Sequence, residues 1–123
     1  MTARAYLPRR AAVALLLSLL VPIPAHAHAI LEESVPAQDG LVPAGTIGIA
    51  FRYNSRIDKS RSRIVLTNPD RSQTHVAIMP SGPPDIVTGT VVLTPGTYSI
   101  RWFVLATDGH LTRGDVRFTV TGP

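Results

Sequence analysis

Two histidine-bearing strings in this chain could together hold a metal ion: Ala25-His26-Ala27-His28 near the N-terminus and Asp108-Gly109-His110 far along it. If a peptidase cuts after Ala27, His28 becomes the first residue, with a free α-amine and an imidazole on one residue. Amine and Nδ1 then close a six-membered chelate, and one more imidazole completes a T-shaped set of three nitrogens. Such a set suits Cu(II), which prefers tetragonal nitrogen and oxygen ligands and leads the divalent affinity order. His110 is the candidate third nitrogen and Asp108 the candidate carboxylate oxygen. Asp-Gly between two strands is a hairpin signal in its own right, so it is the combination of the two strings that points to a metal. Cleavage after Ala25 instead leaves His26-Ala27-His28, whose third residue can wrap Cu(II) with deprotonated backbone amides and needs no His110; Ala27 is the preferred position. Either way the nitrogens must lose protons to bind, the amine from a pKa of about 8, so affinity is expected to fall as pH drops below neutrality.

The segment in front of these histidines reads as a leader. Residues 1–10 hold Arg4, Arg9 and Arg10 and no acid, residues 11–21 are AAVALLLSLLV, and Pro22, Pro24 and small residues follow. That is the plan of a cleaved secretory signal, with an apolar run about half the ~20 residues a membrane-spanning helix needs. The expected product is an exported domain of residues 28–123 with no stable membrane insertion. The whole chain has 12 Lys and Arg against 8 Asp and Glu. With three arginines and no acid in 1–27, the remainder carries 9 against 8, a net charge of +1. No dense basic stripe with interleaved aromatics is present, so no nucleic-acid partner is implied. Arg52, Arg56, Lys59, Arg61 and Arg63 cluster in sequence and read as a solvated surface.

The elements that must position the histidines have a period of two. Ile47, Ile49 and Phe51 alternate with Gly48, Ala50 and Arg52; Tyr98, Ile100, Trp102 and Val104 alternate with Ser99, Arg101 and Phe103; Val116, Phe118 and Val120 alternate with Asp115, Arg117 and Thr119. These are half-buried strands. Runs at 64–67, 74–79 and 86–93 fit shorter ones, 29–34 can open the sheet, and Asn54 to Ser62 could hold a short turn of helix. Turn chemistry separates them at Pro36–Gly40, Pro43–Gly45, Asn68–Asp70, Pro80–Pro84, Thr94–Gly96 and Asp108-Gly109. The fold class expected is all-β, an antiparallel Greek-key barrel or sandwich of about seven strands. It has no cysteine, so its core alone must hold it, and thiolate metal sites and cysteine nucleophiles are excluded. Trp102 reads as a core anchor, Met79 as a strand residue packed into the core, and His75 as a solvated strand position. Tyr53 and Arg101 are residues able to contact and orient ligands.

His28-Ala-Ile-Leu31, Ser34-Val-Pro36-Ala and Asp39-Gly40 resemble the mature start of the CopC-type periplasmic copper-binding proteins. Phe51-Arg-Tyr-Asn-Ser-Arg-Ile57, Pro95-Gly96-Thr-Tyr98, Trp102, Asp108-Gly-His110 and Gly114 with Phe118 and Val120 are similar to the rest of that family's pattern. The resemblance covers essentially all of 28–123. It implies a cupredoxin-like or immunoglobulin-like β domain binding one Cu(II) through the amine and ring of His28, His110 and Asp108. Some members also hold Cu(I) in a Met-rich loop with a His. Here only Met79 and His75 stand in that region, and one thioether is too few for a soft Cu(I) site.

The function expected is a non-catalytic copper carrier, acting as a monomer in copper resistance, homeostasis or delivery to an inner-membrane transporter of the CopD type. Two alternatives belong to other classes. A copper monooxygenase also uses an N-terminal His with a second His, but 96 residues leave little room for a substrate platform, and a carboxylate beside the metal favours holding Cu(II) over cycling it. A metal-free β-sandwich interaction module would use the same turns and bind no copper.

Overall fold

The computed structural model describes residues 28–122. The leader expected at 1–27 lies outside them. Eight strands follow in order: β1 (Leu31–Val35), β2 (Gly40–Pro43), β3 (Gly45–Tyr53), β4 (Ile57–Thr67), β5 (Gln73–Val76), β6 (Ile86–Leu93), β7 (Gly96–Ala106) and β8 (Leu111–Thr121). They form a three-stranded sheet, β1-β3-β6, packed on a five-stranded sheet, β2-β8-β7-β4-β5. This is the expected all-β sandwich. No helix of the described residues is long and apolar enough to cross a membrane.

The alternation read from the sequence sets which side chains meet between the sheets, because successive strand residues face opposite ways. Ile47, Ile49, Phe51 and Val87 come from one sheet; Ile64, Leu66, Ile100, Val104, Val116, Phe118 and Val120 come from the other, and all are buried. Burying each such side chain stabilises the fold by about 1.5–3 kcal/mol. Trp102 is in this core, as expected, with its ring edge-on to Tyr53 at 5.2 Å between centroids. Directly across β7–β8 from Trp102 is Gly114, where a Cβ would stand 2.4 Å from the indole. Only a glycine leaves room for the ring.

Three expectations are corrected. The strand count is eight, and β2, which lies where only turns were expected, pairs parallel with β8. Its four residues carry too little alternation to be seen as a strand; what makes them one is the free edge of β8.

The helical turn expected within 54–62 is absent. β4 already starts at Ile57 and its register against β7 slips between Asp58 and Arg63. Ser62 Oγ donates to Asp58 O (2.8 Å) and accepts the N–H of Leu105 (3.0 Å), so a hydroxyl replaces the missing ladder bond.

The strand expected over 74–79 stops at Val76. Met79 is 50% exposed rather than packed in the core, its N–H reaching across to Thr88 O. His75 is an exposed strand residue, as expected.

The basic cluster is a solvated surface, as expected. Arg52 pairs with Glu32 and Glu33, Arg61 with Asp58, and Lys59 donates to Ser81 O.

Candidate metal centre

Asp108, Gly109 and His110 form the turn between β7 and β8, so the hairpin signal was correct. The turn is closed by Gly109 N–H to Ala106 O (2.9 Å) and Ala106 N–H to His110 O (2.9 Å), and braced by Thr107 N–H to Arg56 O (3.0 Å). Gly109 has φ +97°, a left-handed conformation that side chains disfavour. Within this turn Asp108 Oδ1 accepts the His110 backbone N–H at 3.1 Å and lies 3.3 Å from His110 Nδ1. With the proton on Nε2 the Nδ1 lone pair and Asp108 Oδ1 stand on the same side of the ring, 3.3 Å apart, where one cation could take both. The donated backbone N–H, then the neighbouring ring, hold the Asp108 carboxyl below the usual carboxylate range. It is therefore ionised at neutral pH and acts as an anion toward a cation.

His28 reaches the same edge from the opposite sheet. Ala29 is buried, and its carbonyl accepts the Thr112 hydroxyl at 3.2 Å. Ile30 is locked to Asn54 in both directions, through Ile30 N–H to Asn54 Oδ1 (2.8 Å) and Asn54 N–H to Ile30 O (3.1 Å). These contacts fix the two residues that follow His28, and its ring meets that of His110 with centroids 5.5 Å apart at 75°. Two histidines from the two ends of the domain thus face each other, and Asp108 stands beside one of them. Among the described residues no group of three or more His, Cys, Asp or Glu is placed to hold a metal ion by itself. Two imidazoles and an ionised carboxylate still make a nitrogen and oxygen donor set of the kind Cu(II) takes.

Asn54 and Thr112 were not singled out as positioning residues; a polar side chain that anchors a distant backbone leaves no local pattern. Arg101 turns away from the edge and pairs with Asp115 through two contacts, 2.9 and 3.2 Å. Tyr53 is buried, which pushes its phenol up, and among the described residues neither its hydroxyl nor the Trp102 indole N–H has a hydrogen-bond partner. Among the described residues neither Tyr53 nor Arg101 hydrogen-bonds to Asp108 or His110. His75 lies in β5 and Met79 beyond it, not in the β7–β8 turn.

The CopC domain model matches residues 31–121. The chain belongs to the CopC family. Copper resistance protein C of Pseudomonas syringae pv. tomato is 32% identical over 111 residues, covering 83% of this chain and 87% of that protein. Protein YobA of Escherichia coli K12 is 30% identical over 115 residues, covering 90% and 93%. Among solved structures, that of CopC from Methylosinus trichosporium OB3b superposes with a TM-score of 0.71 at 22% identity, covering 77% of this chain and 95% of that one. The domain match begins at Leu31, three residues after His28, so the N-terminal ligand candidate lies just outside it.

Proposed function

We propose that this CopC-family protein is exported, is cut after Ala27, and holds one Cu(II) through the His28 amine and ring, His110 and Asp108. The observation that carries the reading is the approach of the His28 and His110 rings to 5.5 Å from opposite ends of the domain, beside a carboxylate kept ionised. Cleavage supplies the missing nitrogen: the His28 N becomes an amine and forms a chelate with its own ring, and His110 and Asp108 complete the set that neither string forms alone. A single buried-edge anchor at Ala29 and Ile30 then holds that chelate opposite His110.

The role is carriage, not catalysis. The protein acts in copper resistance or homeostasis as a periplasmic monomer and delivers its ion to an inner-membrane transporter of the CopD type. The relative from Pseudomonas named for copper resistance supports this direction. A separate Cu(I) site is not part of the proposal, since Met79 is the one methionine beyond Met1 and soft sites need more thioethers.

Titration of the processed protein with Cu(II), followed by electron paramagnetic resonance, tests it. The expected result is one equivalent with a nitrogen-rich signal that is lost when a single glycine precedes His28. Equal binding by the glycine-extended chain would overturn the mechanism, and intact mass of the exported protein would locate the cut.

A further inference from the structure

The outer face of the five-stranded sheet gathers arginines that are far apart in sequence. In register across β8, β7 and β4, Arg113 stands opposite Phe103, itself opposite Arg63; Asp115 stands opposite Arg101; Arg117 stands opposite Ser99. Because Trp102, Val104, Val116 and Phe118 are buried between the sheets, these alternate residues all project outward. The face proper carries four arginines and one acid, a charge of +3. The rest of residues 28–123, including the Asp58–Arg61 pair at its corner, holds five cations and seven acids, a charge of −2. A nearly neutral domain is thus strongly polarised.

Asp115 offsets only Arg101. Arg63 lies over the Phe103 ring at 4.3 Å, and the guanidinium groups of Arg113 and Arg117 have no carboxylate partner among the described residues. Arg113 and Arg117 are about 13 Å apart along the strand at ~3.3 Å per residue. Spread like this, the charges do not converge on one small anion, whereas a planar array of phosphates can meet them all. An open groove of about 510 Å³ beside Arg63, Arg101 and His75, floored by Val65 and Phe103, gives one headgroup a seat. At the edge of the same face Leu111 is 61% exposed, opposite Leu105. Cations beside exposed apolar side chains are what an interfacial contact with lipid uses.

We propose that this face docks on an anionic phospholipid bilayer. Leu111 directly follows His110, so a domain lying on this face holds its metal edge beside the membrane, where a membrane transporter collects its cargo. The proposal rests on the exported-carrier reading for its biological sense, but its test needs no copper.

The experiment is co-sedimentation of the metal-free chain beginning at His28, which contains all eight strands, with vesicles of phosphatidylcholine with or without phosphatidylglycerol. Pelleting with the phosphatidylglycerol vesicles alone, reversed by salt, is expected. Each arginine near such a surface contributes about fivefold to partition. R113E/R117E should therefore weaken binding by at least about 25-fold, while R71E, off this face, leaves it unchanged. Circular dichroism confirms that the double variant is folded, and should it unfold, R113Q/R117Q replaces it with the same expected direction. Equal binding to neutral vesicles, no binding, or binding indifferent to R113E/R117E overturns the proposal. So does retention on immobilised polyglutamate without vesicle binding, which would assign the face to an acidic protein. Loss of copper binding with vesicle binding intact would sink the carrier reading alone.

Discussion

At the tip of the β7–β8 hairpin, Asp108, Gly109 and His110 are exposed and a Cβ at Gly109 would touch nothing within 4 Å. Farther down the same two strands Trp102 and Gly114 are packed so closely that a Cβ at Gly114 would stand 2.4 Å from the indole. The tip carries the proposed ligands and few packing contacts; the layer below is packed and carries none of the proposed ligands. Register ties them together. A shift of β8 against β7 by one residue would drive Arg113 or Asp115 into the core in place of Gly114, so the cost of burying a charge, with or without the indole, holds His110 on the edge that His28 reaches.

The sharpest way to break this division is Trp102→Ala. It should cost about 3–5 kcal/mol in thermal or denaturant unfolding, while copper affinity, measured below the unfolding transition, changes little. A large loss of affinity in the folded variant would show that the layer tunes the edge directly.

The mirror experiment is His110→Ala. It should lower Cu(II) affinity by more than the roughly 10–100-fold that follows loss of a group that merely orients a ligand. Stability should stay within about 0.5 kcal/mol. Competition titration and unfolding curves of one sample read both sides.

Gly109→Ala probes the boundary. With open space around the new methyl, the cost is that of the left-handed backbone, about 1 kcal/mol, and any fall in affinity reports displacement of Asp108 and His110.

The smallest effect is in pH. Asp108 is held below its ordinary value mainly by the His110 N–H, so its stabilising contribution is present above the normal carboxylate pKa and is lost as pH falls through the lowered one. That is far below the window in which an amine and imidazoles take up protons. Copper affinity should therefore fall as pH drops below neutrality with no change in fold. Affinity that stayed constant until the protein unfolded in acid would instead assign the control to the carboxylate.

Much of the fold was legible because alternation survives in the long strands: Ile47 to Phe51, Tyr98 to Val104 and Val116 to Val120 all bury the residues that their period marks. The parts that were not legible lack that period. β2 owes its existence to the edge of β8, and the register slip in β4 depends on where Ser62 finds Leu105. Met79 follows a strand that ends early, leaving it exposed. Of the site, His28, Asp108 and His110 could be named from residue chemistry and family resemblance, whereas Asn54 and Thr112 could not, since each acts on a backbone group distant in sequence. The arginine face was equally invisible: the chain's local basic cluster disperses, and Arg63, Arg101, Arg113 and Arg117 share a face through strand register alone.

By itself the sequence determined the class of the fold and the kind of donor atoms, because period-two patterning, the absence of cysteine and the placement of histidines are properties of residue type and spacing. The tertiary structure alone decided that His28 meets His110. Their meeting depends on two sheets closing over one core and on anchors at Ala29 and Ile30, and packing between distant segments writes no pattern into either one.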